Sequence, residues 1–238
     1  LHTEAGVSPR RPCVVPGNRA AAGAARHGLA RLRSSPPRST PLTNLRDPSP
    51  ASLPRRPEIL APAGDLACLR AALTAGAGAV YLGIDEGFNA RARARNFPLD
   101  GMLDVAAEVH RAGARLFVTL NTLIFEPELR TVARVIEQLA RARVDAVIVQ
   151  DPAVALIARE VCPALHVHAS TQMTVSSGEG AQFAAGLGVR RIVVPRELSV
   201  AEIAALAKAT PLEIEVFVHG ALCMSWSGQC LTSEAWGG

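Results

Sequence analysis

Two cysteines and a histidine lie close together in the stretch EIEVFVHGALCMSWSGQCLTS, from Glu213 to Ser233. Ile214, Val216 and Val218 alternate with Glu213, Glu215, Phe217 and His219, which predicts a strand over Glu213–His219. Gly220 ends that run and opens a loop holding Cys223 and Cys230. Two chemistries fit these residues. Cys223 and Cys230, spaced C-x6-C, can supply half of a four-thiolate iron–sulfur site. Alternatively, Cys223 and His219 can form a thiolate–imidazolium couple for nucleophilic attack, with Asn121 or Glu215 as the orienting third group. Cys13 lies in the N-terminal segment, Cys162 closes a helix at the opposite face, and Cys68 is expected to pack within the first helix. None of these offers a further cluster ligand, so two more are expected after Gly238. Neither a HExxH zinc motif nor a G-x-S-x-G elbow is present.

The elements that must position these groups begin after Pro57. Seven β-type runs follow: Glu58–Ala61, Ala79–Ile84, Arg115–Asn121, Ala146–Asp151, Leu165–Gln172, Arg191–Glu197 and Glu213–His219. Between them lie helical stripes such as Leu129, Val132, Ala133, Ile136 and Leu139, with Pro127 at the helix start. Ser199 and Glu202 form a capping box, and Gly76, Gly113 and Gly188 stand where left-handed helix caps are needed. Regular βα alternation specifies an α/β fold with a mostly parallel sheet and right-handed crossovers. A TIM-barrel-like (β/α) domain over residues 58–238 is therefore expected, C-terminally incomplete after about seven of the eight βα units. An open doubly wound sheet is the alternative. It is disfavoured because Ala61-Pro62-Ala63-Gly64-Asp65, after the first strand, is not a GxGxxG loop.

Barrel geometry assigns faces to the strands. On the fifth strand Leu165, Val167 and Ala169 should face the helices, turning His166, His168, Ser170 and Gln172 into the lumen. The same parity turns Arg115, Phe117, Thr119 and Asn121 inward on the third strand, and Glu215, Phe217 and His219 on the seventh. His166 and Glu215, deep in their strands, are expected in a hydrogen-bonded network. Asn121, Gln172 and His219 stand at carboxyl ends of strands, the face on which barrel enzymes build active sites, and are the candidate catalytic residues. The loop FNARARARNF after the second strand shares that face. If extended, it sets Arg91, Arg93 and Arg95 on one side, suited to phosphate, carboxylate or RNA binding.

The net charge of +4 is unevenly placed. Residues 1–57 hold ten arginines against Glu4 and Asp47, a balance of +8 that leaves −4 for the rest. The basic character therefore belongs to the N-terminal segment. That segment is rich in Arg, Ala, Ser and Pro without apolar periodicity, and reads as a disordered targeting extension of the organelle transit type. No apolar run reaches the length of a membrane span.

Several motifs together closely resemble the U32 peptidase family, also called collagenase-like proteases. They are Glu58-Ile-Leu-Ala-Pro-Ala-Gly-Asp65, FNARARARNF, Phe117-Val-Thr-Leu-Asn-Thr122, Val149-Gln-Asp151, His168-Ala-Ser-Thr-Gln172, Pro195-Arg-Glu-Leu198 and Phe217-Val-His-Gly-Ala-Leu-Cys-Met-Ser-Trp-Ser-Gly-Gln-Cys230. Within the family the sequence is most similar to the branch that hydroxylates a cytidine of 23S ribosomal RNA. Sister branches hydroxylate a tRNA uridine or ubiquinone precursors. The resemblance implies a barrel domain with a [4Fe-4S] cluster, Cys223 and Cys230 matching its first two ligands and two more expected after Gly238. It also implies ribosomal RNA or tRNA as partner and a prephenate-derived oxygen donor. The basic N-terminal segment, not the resemblance, points to an organelle, the chloroplast before the mitochondrion, with the cytoplasm as the alternative. Two other readings stay open: a peptidase using Cys223 and His219, and a truncated, non-catalytic family member.

Overall fold

The computed structural model describes residues 56–90, 95–220 and 225–230. The expected disordered extension over residues 1–57 lies almost wholly outside them. Strands β1 (Leu60–Pro62), β2 (Ala79–Gly83), β3 (Arg115–Leu120), β4 (Ala146–Val149), β5 (His166–Ala169), β6 (Val189–Val193) and β7 (Glu213–Glu215) alternate with six helices. These are α1 (Leu66–Thr74), α2 (Met102–Arg111), α3 (Leu129–Arg141), α4 (Pro152–Val161), α5 (Gly178–Gly186) and α6 (Val200–Ala209). All seven strands are parallel and lie in sequence order, as repeated right-handed βα units require.

Local chemistry sets the helix ends. Asp65 and Asp151, just past β1 and β4, cap α1 and α4 by accepting the Cys68 and Ala153 N–H groups at 2.9 and 2.8 Å. Ser199 and Glu202 form the expected capping box of α6. On α3, Val132, Val135, Ile136 and Leu139 are buried, the stripe read from the sequence. Cys68 departs from expectation. It is exposed on α1, because Leu69 takes the buried position next to it and a one-residue step turns the helix by about 100°.

The outward strand residues Val80, Leu82, Leu116, Val118, Val147, Val149, Val167 and Ile192 pack with the helices into the main core. Inward residues share a smaller cluster: Ala79, Phe117, Ala146, Ile148 and Val193, with Leu60 and Tyr81 beside them. The ladder ties these into rows, including Tyr81 to Phe117 to Ala146 to His166, and Gly83 to Thr119 to Ile148 to His168. Between β5 and β6 the register slips, so that Val167 pairs Val189 while His168 pairs Arg191. That bulge skips Arg190 and brings the Arg191 side chain to the inner face.

Curvature follows from one set of ion pairs. In a flat sheet β1 and β6 would stand about 24 Å apart, five strand spacings of about 4.8 Å. Yet Glu58, just before β1, reaches Arg191 of β6 at 3.2 Å and also pairs with Arg115 of β3. The sheet is therefore curled around its inner residues into an open TIM-type barrel.

All seven strands are shorter than the runs read from the sequence, β5 and β7 by the most, and β6 also starts earlier, at Val189. β7 ends at Glu215 rather than His219, and β5 ends at Ala169 before a 3-10 turn over Thr171–Met173. Side-chain alternation reports which way residues face, not whether a neighbouring strand continues. Beside β7, the Val194 N–H to the Glu215 carbonyl at 2.9 Å is where the pairing with β6 ends.

Candidate active site

The lumen is layered by polarity. At its amino-terminal end Arg191 is buried and gathers three carboxylates: Glu213 at 2.8 Å from Nε, Glu215 at 3.3 Å and Glu58 at 3.2 Å. Burial acts to raise the Glu58 carboxyl, but hydrogen bonding and charge from Arg115, with Arg191, bring it below its usual value. Burial wins at Glu215, whose carboxyl is raised despite the attraction of Arg191. The Phe117 ring lies above, with the Arg115 and Arg191 guanidiniums 5.4 and 5.3 Å from its centroid. His168 meets Phe117 edge-on at 4.7 Å. Burial first, then the charges of Arg191, His166 and Arg115, bring the His168 pKa down to about 3. It is therefore a neutral imidazole at physiological pH, and its buried Nδ1 has no hydrogen-bond partner.

The carboxyl ends of the strands form the mouth. Asn121, one residue past β3, accepts the Ala90 N–H at 3.0 Å and donates to Ser170 Oγ at 3.2 Å. Ser170 Oγ also accepts the Gln172 N–H at 3.2 Å, so Asn121 and Gln172 meet through one hydroxyl. Over β2, the buried Asn89 side chain donates to the Ile84 carbonyl at 2.9 Å. Gly83 makes room for it: a Cβ there would come within 3.1 Å of the Asn89 amide and 2.6 Å of Asn96 Oδ1. The loop from Asp85 returns to the sheet at Phe97, whose N–H donates to the Gly83 carbonyl at 2.9 Å.

A third group of contacts holds the loop that bears Cys230. Gln172 Oε1 accepts the Gly228 N–H at 3.0 Å, Thr174 Oγ1 donates to the Ser227 carbonyl at 2.8 Å, and Glu197 Oε1 accepts the Ser227 N–H. Gly228 has φ +76°, and a Cβ would stand 2.3 Å from the Gln172 carbonyl oxygen. Thr174 itself has φ +56°, a region costly for a β-branched residue. Burial acts to raise the Glu197 carboxyl, but the Ser227 N–H outweighs it and the pKa is lowered. The second oxygen, Oε2, is buried and without a partner.

The structure thus brings together Asn121, Gln172 and the Cys230 loop. His219 is exposed beyond the end of β7. Arg95 is exposed at the end of its loop, and Cys230 is half-buried. Arg91, Arg93 and Cys223 lie outside the described residues. His166 sits at the opposite rim, 3.1 Å from Arg190. Sequence reading did not single out Arg191, Glu58, Thr174 or Glu197. The bulge that turns Arg191 inward leaves no mark in the residue pattern. Glu197 was legible only as part of the Pro195–Leu198 motif.

Among the described residues no three His, Cys, Asp or Glu side chains are grouped to hold a metal ion. Cys230, half-buried on the anchored loop at the mouth, is one thiol that a cluster could use, and Cys223 lies outside the described residues. Nor is any described helix long and apolar enough to cross a membrane.

A parallel, curled βα sheet with polar groups gathered at its carboxyl ends defines an α/β barrel of the TIM type with an enzyme-like mouth. The sequence pattern of peptidase family U32 matches residues 64–238, and the chain belongs to that family. It is 43% identical over 180 residues to a 23S rRNA 5-hydroxycytidine synthase of Escherichia coli, covering 76% of this chain and 27% of the relative. It is 35% identical to tRNA hydroxylation protein P1 of Bacillus subtilis, covering 76% and 42%. A collagenase of Porphyromonas gingivalis is also 35% identical, covering 74% and 44%. The chain therefore spans less than half the length of these relatives. In fold it matches a solved U32 peptidase with a TM-score of 0.59 at 16% identity, over 74% of this chain and 73% of that one. An oxaloacetate acetylhydrolase matches with a TM-score of 0.51 at 18% identity, covering 67% and 66%.

Proposed function

We propose that this chain is the barrel part of an iron–sulfur-dependent RNA base hydroxylase acting on a pyrimidine of ribosomal RNA or tRNA. One observation carries the reading: the loop bearing Cys230 is anchored beside the linked Asn121–Ser170–Gln172 amides and hydroxyl at the barrel mouth. Cys230 and Cys223 would hold iron, together with further thiolate ligands of the same kind. When bound, the cluster supplies one-electron redox chemistry. The chain's own residues bind and orient. Primary amides such as Asn121 offer both a donor and an acceptor, which suits the edge of a pyrimidine. Arg91, Arg93 and Arg95 suit the RNA backbone and an anionic oxygen donor of the prephenate class. Converting a ring C–H to C–OH adds one oxygen atom and removes two electrons, so a donor and a redox partner are both required. Residues 1–57 suit an organellar address, the chloroplast before the mitochondrion.

The names of the two RNA-hydroxylating relatives support this reading. A peptidase reading finds less support, because His219 is exposed beyond β7, while among the described residues Asn121 is hydrogen-bonded to Ala90 and Ser170, and Glu215 to Arg191. To test the proposal, the full-length protein is purified anaerobically and assayed for iron, sulfide and visible absorbance. It should bind iron and sulfide with broad absorbance near 400 nm, and Cys230→Ser should lose most of it. Iron-free protein that cleaves collagen-like peptides would replace this reading with the peptidase one.

A further inference from the structure

The contacts around Ser227 and Gly228 go beyond what the proposed reaction needs. Three side chains from two different βα connections converge on two adjacent residues of one loop. Gln172 takes the Gly228 N–H, Glu197 takes the Ser227 N–H, and Thr174 donates to the Ser227 carbonyl. Gly228 can approach only because it has no Cβ, and Thr174 is held in a left-handed conformation that its own side chain disfavours. A strained residue that persists at a contact only a glycine can make indicates that the surroundings enforce it. All these bonds are made by protein atoms alone.

We propose that Gln172, Thr174 and Glu197 are positioning residues that preset the loop carrying Cys230 at the barrel mouth, so that this part of the thiolate site is in place before any metal arrives. Gln172 then acts through its side-chain carbonyl on the loop rather than on the reacting base. The role of the thiol rests on the iron–sulfur reading, whereas the presetting of the loop does not. The chemistry distinguishes this role from general packing. Each contact uses one acceptor oxygen, so Gln172→Glu and Glu197→Gln preserve it, while Gln172→Ala and Glu197→Ala remove it. Thr174→Gly removes the hydroxyl while relieving the left-handed backbone, and so loosens the loop without threatening the fold.

The test measures Cys230 alkylation by iodoacetamide in iron-free, full-length protein, read by peptide mass spectrometry. Circular dichroism confirms that each variant is folded. Gln172→Ala, Glu197→Ala and Thr174→Gly should each react about fivefold faster than wild type, the factor that corresponds to about 1 kcal/mol for one lost hydrogen bond. Gln172→Glu and Glu197→Gln should stay near the wild-type rate. Equal rates in wild type and Thr174→Gly, or fast alkylation of the wild type itself, would overturn the proposal. Iron uptake by the same preparations separates the two ideas. Wild-type protein that takes up no iron removes the cluster reading, while the alkylation rates still decide whether the loop is preset.

Discussion

His168 shows how one buried residue ties the lumen to solution conditions. Its pKa of about 3 lies far below the ordinary histidine value of 6.5, chiefly because burial penalises the imidazolium. Between these values the unfolded chain binds a proton that the folded chain excludes. Stability is therefore complete above pH 6.5 and is lost as pH falls toward 3. At pH 4.5 the loss is about 2–3 kcal/mol, from two pH units at about 1.4 kcal/mol each. Glu215 acts with the opposite sign: its raised carboxyl favours the folded state at low pH and gives up that contribution as pH rises through its folded value. Comparing His168→Phe with wild type cancels the Glu215 effect to first order and keeps an aromatic ring against Phe117. Urea denaturation at pH 7 and pH 4.5 should show a smaller loss of stability in His168→Phe. An equal loss in both proteins would mean that the imidazole is not held neutral.

At the level of strands, the open barrel is held in its curl by Arg191, which joins β6 to β7 and to the start of β1. Without that guanidinium, Glu58, Glu213 and Glu215 face one another at the inner rim. Breaking a fully buried pair costs about 3–5 kcal/mol. Glu58 and Glu213 are partly exposed, so the expected cost of Arg191→Ala is on the order of 3 kcal/mol. Arg190→Ala, at the exposed residue the bulge leaves out of the ladder, should cost well under 1 kcal/mol. Chemical denaturation of the two variants measures the difference, and similar losses would argue against the closure role. This cluster also marks where sequence reading stopped. The inward parity of Arg115, Phe117, His168 and Glu215 was legible, because a strand's period of two needs no knowledge of its neighbours. Arg191 and Glu58 were not, since their meeting depends on a bulge and on curvature, both of which are properties of strand pairs. The overlong β7 arose in the same way: Val216 and Val218 continue the alternation, but the ladder with β6 stops beside Glu215.

For the molecule as a whole, the βα alternation was enough to read the fold class, because strand alternation, the α3 stripe and the α6 capping box are all local signals. Function was less legible. The cysteine loop stood out by residue type and by resemblance, whereas its anchoring by Gln172, Thr174 and Glu197 required three dimensions. Those anchors place Cys230 at the same mouth as Asn121, which holds the N–H of Ala90, the residue just before Arg91. The most direct test of an RNA-hydroxylating role is nucleoside mass spectrometry of ribosomal RNA and tRNA, from the whole cell and its organelles, with and without the gene. Loss of one hydroxypyrimidine, restored by the wild-type gene but not by Cys230→Ser, is the predicted result. An unchanged set of modified nucleosides in the deletion strain would contradict it.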